Sequence, residues 1–157
     1  MKRLLILASG FCLLLATAAP ARINSYSGTV GGGGSGTVTF QANVVVKRGK
    51  CIRRDRRGRC IRRRHRRVAT YIAPGMQFQH VPIHCDDGDH TLTITKTTAI
   101  PVNLRHFSST GSGGTSTITI TGVFARGAGS ATGTIRDSGT ISGITGCDTG
   151  TLSWSAT

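Results

Sequence analysis

Thr115-Ser116-Thr117-Ile118-Thr119-Ile120-Thr121 decides the fold class of this chain. Aliphatic and hydroxyl side chains alternate with a period of two, so an extended strand sends Ile118 and Ile120 to one side and threonines to the other. One such face suits a core and the other suits water. Residues 91–95 repeat the pattern, with Leu92 and Ile94 as the inward pair. Working outward, the runs 23–30, 36–46, 69–72, 77–85, 90–97, 102–107, 116–124, 131–136 and 149–156 also read as strands. Glycine-bearing turns separate them at 31–34, at Asp86-Asp87-Gly88-Asp89, at 111–114 and at 127–129. The chain is rich in Thr, Gly, Ser, Val and Ile, contains no Glu, and has no segment of helical period. The expectation is an all-β protein: a single antiparallel β-sandwich of about 8–9 short strands.

Charge is distributed very unevenly along this pattern. Thirteen of the 20 Lys and Arg residues fall in segment 47–67, namely Lys47, Arg48, Lys50, Arg53, Arg54, Arg56, Arg57, Arg59, Arg62, Arg63, Arg64, Arg66 and Arg67, against Asp55 as its one acid. From residue 22 onward, the rest of the chain carries five bases and five acids. A neutral domain therefore bears one strongly cationic insertion, which repels itself and gives an anionic partner a reason to bind. Cys51-Ile52-Arg53-Arg54-Asp55-Arg56-Arg57-Gly58-Arg59 is echoed directly by Cys60-Ile61-Arg62-Arg63-Arg64-His65-Arg66-Arg67. This nine-residue repeat reads as a local duplication, so 47–67 is expected to be an Arg-rich hairpin or loop inserted within the 22–157 domain.

Residues 1–21 have the make-up of a secretory signal peptide. Met1-Lys2-Arg3 is a basic head, an apolar stretch follows, and Ala19-Pro20-Ala21 supplies small residues for cleavage after Ala21, with Ala18 the alternative. The apolar stretch is interrupted by Ser9, Gly10 and Thr17 and is shorter than the ~20 residues of a spanning helix. The expected product is secreted, at the cell surface or in a periplasm, with no transmembrane segment. Four cysteines remain, Cys51, Cys60, Cys85 and Cys147, and an even count in an oxidising compartment favours two disulfides in one of three pairings. Cys51–Cys60 together with Cys85–Cys147 is favoured, because Asp55-Arg56-Arg57-Gly58 between the first two makes a plausible hairpin turn.

Several stretches outside the insertion carry a likeness. They are Ser27-Gly28-Thr29, His80-Val81-Pro82-Ile83-His84-Cys85-Asp86-Asp87-Gly88, Ile100-Pro101-Val102-Asn103, and Gly146-Cys147-Asp148-Thr149-Gly150-Thr151-Leu152-Ser153-Trp154. From about Tyr26 to Thr157 the chain resembles a family of small secreted β-sandwich proteins common in actinobacteria and their relatives. The Cys-Asp-Asp-Gly turn and the terminal Cys-x-x-Gly-x-x-x-Trp strand are its most specific elements. The resemblance implies the sandwich and the Cys85–Cys147 pairing. It brings no activity, and the Arg-rich insertion departs from its pattern.

The basic insertion is the leading candidate site. Arginine's planar fork suits phosphate, sulfate and carboxylate, and thirteen cations favour a polyanion. No aromatic residue lies between Lys47 and Arg67, so sequence-specific reading of bases has no stacking platform. The expected role is a non-enzymatic interaction module adhering to cell-wall polymer, lipopolysaccharide, acidic polysaccharide, membrane headgroups or extracellular DNA. The alternatives are a structural envelope protein with an incidental basic loop, a protease-sensitive loop, and a cationic antimicrobial-like toxin in which only Ile52 and Ile61 could insert into a bilayer. His80, His84, Asp86, Asp87, Asp89 and His90 are metal-ligand types, but His80 and His84 lie about 13 Å apart at ~3.3 Å per residue, so a polar turn is expected. Neither a metal nor a cofactor is expected. A hydrolase would need Asp137 and Asp148 to converge. Trp154 alternates with Leu152 and reads as core.

Overall fold

The computed structural model describes residues 21–31 and 36–157. The expected signal segment up to residue 20 and most of the 31–34 turn lie outside the described residues. The fold is all-β, with eleven strands and no helix among the described residues: β1 (Arg22–Val30), β2 (Gly36–Arg54), β3 (Cys60–Ile72), β4 (Met76–Cys85), β5 (Gly88–Lys96), β6 (Ile100–Pro101), β7 (His106–Gly113), β8 (Thr115–Phe124), β9 (Ala131–Ile141), β10 (Ile144–Asp148) and β11 (Leu152–Ala156). Every pairing is antiparallel.

The layers expected of a sandwich are joined into one continuous sheet that folds around its core. Three strands change partners along their length to achieve this. β2 uses Thr37–Thr39 against β4 and residues from Ala42 onward against β3. β4 meets β2 at Gln77–Gln79 and β10 at His84. β9 meets β11 at residues 131–135 and β10 at residues 138–141. The ladder therefore closes on itself in the order β1, β2, β4, β10, β9, β11 and back to β1, while β5, β3 with β6, and β8 with β7 extend it.

Several boundaries differ from expectation, each for a local reason. The 102–107 run is broken, because Leu104 and Arg105 form a tight turn with positive φ (48° and 79°) between the bridged residues Asn103 and His106. The glycines at 111–113 belong to β7, and only Gly114 turns, at φ 72°. β10 carries Gly146 at φ 64° and has no clean alternation to announce it. The last strand begins at Leu152 rather than at 149.

Alternation fills the core as read. Ile120 and Ile94 are buried, with Ile118 and Leu92 packed against the same cluster. Tyr26, Phe40, Phe78, Phe107, Phe124 and Trp154 form its aromatic centre; Tyr26 stacks on Phe40 at 4.8 Å, and Phe40 meets Trp154 edge-on at 6.0 Å. The buried Tyr26 hydroxyl donates to the Ala128 carbonyl at 2.6 Å, so its polar end is satisfied. Burial of each large apolar side chain contributes about 1.5–3 kcal/mol. A second small cluster gathers Ile83 around the Cys85–Cys147 disulfide, which ties β4 to β10.

Candidate functional site

The Arg-rich insertion is an ordered two-stranded arm. β2 leaves its β1 neighbour at Val44, and β3 meets β6 only at Tyr71 and Ile72. Among the described residues, segment 47–67 therefore has ladder partners only within the β2–β3 pair, through Val46↔Arg67 at its base and then Lys47↔Arg66, Arg48↔His65, Cys51↔Arg63, Arg53↔Arg62 and Arg54↔Cys60. At ~3.3 Å per residue the arm reaches roughly 25–30 Å beyond the sheet. The strands end neither at 46 nor start at 69, as hydrophobic alternation alone would place them; they continue straight through the charged run.

Like charges opposite one another disfavour such a ladder, so the local chemistry that closes it matters. Asp55 accepts backbone N–H bonds from Arg57 (3.0 Å) and Arg59 (2.8 Å) on Oδ1, and the Arg59 Nε–H on Oδ2 (2.9 Å). Its backbone also bonds with Gly58 and Arg59, and Arg54 Nη1 donates to the Gly58 carbonyl at 2.7 Å. Gly58 turns at φ 76°, where a side chain would be strained. Lower down, Gly49 allows close approach of the partner strand: a Cβ there would stand 2.5 Å from the Arg64 carbonyl oxygen.

The Cys51–Cys60 disulfide then locks the arm at a Cα–Cα distance of 5.8 Å. The ladder partners of these cysteines are Arg63 and Arg54, so the bridge crosses the ladder obliquely where the register is irregular. Closing this nine-residue loop stabilises the arm by about 2–3 kcal/mol on the chain-entropy model.

All thirteen cations of the arm are exposed. Among the described residues, Arg59–Asp55 is the one ion pair that any of them makes. Of the other aspartates, Asp137 is buried away from the arm and the remaining four are engaged elsewhere. Asp86 accepts from Thr145 Oγ1 (2.6 Å), Asp87 pairs with His90 Nε2 (2.9 Å), Asp89 pairs with His84 Nδ1 (2.8 Å), and Asp148 holds Arg136 (2.6 Å). The positive field of the arm is thus largely uncompensated among the described residues.

The His/Asp turn forms two separate pairs rather than one ligand set. Ligand atoms of Cys85, Asp87 and His90 lie within 4.8 Å of one another, but the Cys85 sulfur is committed to its disulfide. Asp137 and Asp148 are neighbours across the β9–β10 ladder, where Asp148 stands opposite Ser138, yet their environments are opposite. Asp137 is only 3% exposed, its Oδ1 has no hydrogen-bond partner among the described residues, and burial raises its pKa. Asp148 lies at the surface, and its hydrogen bonds to Arg136 lower its pKa. The two carboxyls thus sit in different surroundings, one buried and one paired with Arg136 at the surface.

The sequence places the hairpin turn at Asp55-Arg56-Arg57-Gly58, but not the part that the Asp55 carboxylate plays in closing it through Arg57 and Arg59. The available signal was an aspartate three residues before a glycine, a combination that closes turns through its own side chain. No helix among the described residues is long and apolar enough to cross a membrane. A scan against protein-family models finds no match, and searches of curated proteins and of solved structures find none.

Proposed function

We propose that this chain is an exported, non-enzymatic binding module whose Arg-rich arm adheres to anionic surfaces or polymers. One observation carries the reading: thirteen exposed cations stand on a disulfide-closed arm that projects from an otherwise charge-balanced domain, with one ion pair between them among the described residues. An arm already held by a turn and a disulfide loses less entropy on binding than an open loop of the same composition. Two disulfides fit an oxidising compartment, and that supports export. The resemblance to small secreted β-sandwich proteins, read from the residues outside the arm, points the same way.

The test is retention on immobilised heparin. The intact protein is expected to elute late with a steep dependence on salt, because each neutralised cation releases counterions. A variant in which 47–67 is replaced by a short Gly-Ser linker is expected to pass through early. Equal retention of the two proteins would overturn the reading.

A further inference from the structure

The apolar surface of the molecule is concentrated where the charge is. Among the described residues, the large hydrophobic side chains left exposed are Ile23, Val46, Ile52, Ile61, Tyr71 and Leu104. Val46, Ile52 and Ile61 belong to the arm strands or the residue that enters them. Ile23 and Tyr71 flank Asn43 in one register row across β1, β2 and β3, at the root of the arm.

Leu104 reaches the same end by a different path. Tyr71 pairs with Pro101, and Val102 N–H bonds the Thr70 carbonyl at 2.9 Å, so the chain leaving β6 runs along β3 toward the arm. There the turn places Leu104 at φ 48° and 84% exposed. A leucine in the left-handed region is strained, and at this exposure packing against the described residues does little to offset it. Paired Asn103–His106 backbone bonds, both 2.8 Å, and an Arg105 Nη1 bond to the Phe124 carbonyl at 3.2 Å fix the turn in place. Arg22 and Arg105 add cations at the root, outside the arm itself.

We infer that the arm and its root form a docking surface for an anionic lipid bilayer, with Ile52, Ile61 and Leu104 entering the interface and the arginines meeting headgroups. This rests on the anion-adhering reading of the arm and names its partner. A soluble polyanion rewards the cations but gains nothing from exposed aliphatics. A bilayer boundary rewards both, because apolar side chains leave water while each nearby Lys or Arg is drawn to an anionic surface. Within the arm these apolar residues are interleaved with cations, as at a membrane boundary, whereas the core of a protein interface is depleted of charge.

The experiment compares binding of the full protein, with its disulfides formed, to phosphatidylcholine vesicles with and without phosphatidylglycerol, alongside elution from heparin. The intact protein is expected to bind only the phosphatidylglycerol vesicles. The triple variant I52S/I61S/L104N keeps every charge, and it is expected to elute from heparin unchanged while losing roughly tenfold or more in vesicle affinity. The single change Leu104→Asn relieves the turn, since asparagine tolerates this conformation, and is expected to give a smaller loss in the same direction. Retention on heparin without binding to phosphatidylglycerol vesicles, or full vesicle binding by the triple variant, overturns the bilayer inference and leaves anion adhesion standing. Failure of the intact protein on both heparin and vesicles overturns the two together.

Discussion

Asp55 holds Arg59 from both sides, accepting its backbone N–H at 2.8 Å on one carboxylate oxygen and its guanidinium Nε–H at 2.9 Å on the other. A segment whose cations repel one another is thereby turned back on itself by its one acid. Replacing Asp55 with Ala removes three hydrogen bonds to a charged acceptor at an exposed site, and the arm is expected to loosen by about 1 kcal/mol. The change will show as faster amide hydrogen exchange at Arg57 and Arg59, with exchange in the core strands unaltered. Unchanged protection at the turn would mean that the disulfide alone shapes the arm.

The two disulfides have different duties. Cys85–Cys147 joins segments 62 residues apart and is buried in its own small cluster; Cys51–Cys60 spans nine residues in solvent. On the chain-entropy model the long loop accounts for about 4 kcal/mol of stability. C85S/C147S is therefore expected to lower the melting temperature by roughly 10 °C or more. C51S/C60S is expected to leave it nearly unchanged, because the closed circuit of pairings that surrounds the core does not pass through the arm. Calorimetry on the two variants reads the contrast directly.

Gly122 and Gly133 stand opposite each other in a row that continues to Phe107 on one side and Trp154 on the other. The missing side chains let the two rings approach to 5.9 Å. A Cβ on Gly133 would stand 2.6 Å from Trp154 Cζ2 and closer still to the Thr121 carbonyl oxygen, which is backbone and has nowhere to move. Gly133→Ala is expected to cost about 2–3 kcal/mol or more in urea unfolding. Gly129→Ala, in open space with ordinary φ, is expected to be nearly neutral and serves as the control.

These outcomes also show which parts of the molecule can be read from its sequence. The Ile118/Ile120 and Leu92/Ile94 alternations reveal their strands because one face is wet and one is dry. The arm strands carry no such contrast, since charged residues occupy both faces, and hydrophobic periodicity stops at Val46 although the ladder does not. The Leu104–Arg105 turn is silent because turns of its kind usually advertise themselves with glycine or asparagine. The thirteen cations are visible as composition. The gathering of Ile23, Tyr71 and Leu104 around their root is not, because it arises from strand register between positions far apart in the chain.

Asp137 gives the domain a pH dependence of unusual sign. Burial raises its pKa above the ordinary carboxylate value of 3.8, so the folded state holds this proton more tightly than the unfolded chain. Between that ordinary value and the raised one, the unfolded state binds fewer protons, and the stability contributed by this group falls as pH rises. Above the raised value the full cost of a buried carboxylate is present. Asp148 runs the other way: Arg136 lowers its pKa, so its contribution is complete above 3.8 and is lost as pH falls through the lowered value. Asp137→Asn removes the ionisation while keeping the shape. The variant is expected to be more stable than the parent at neutral pH, because it carries no charge into this buried setting. The gap should close below pH ~4, where the parent's carboxyl is protonated in both states. Urea titrations of the two proteins across this range decide the matter, and an asparagine variant less stable at neutral pH would mean that the ionised carboxylate has a partner that stabilises it.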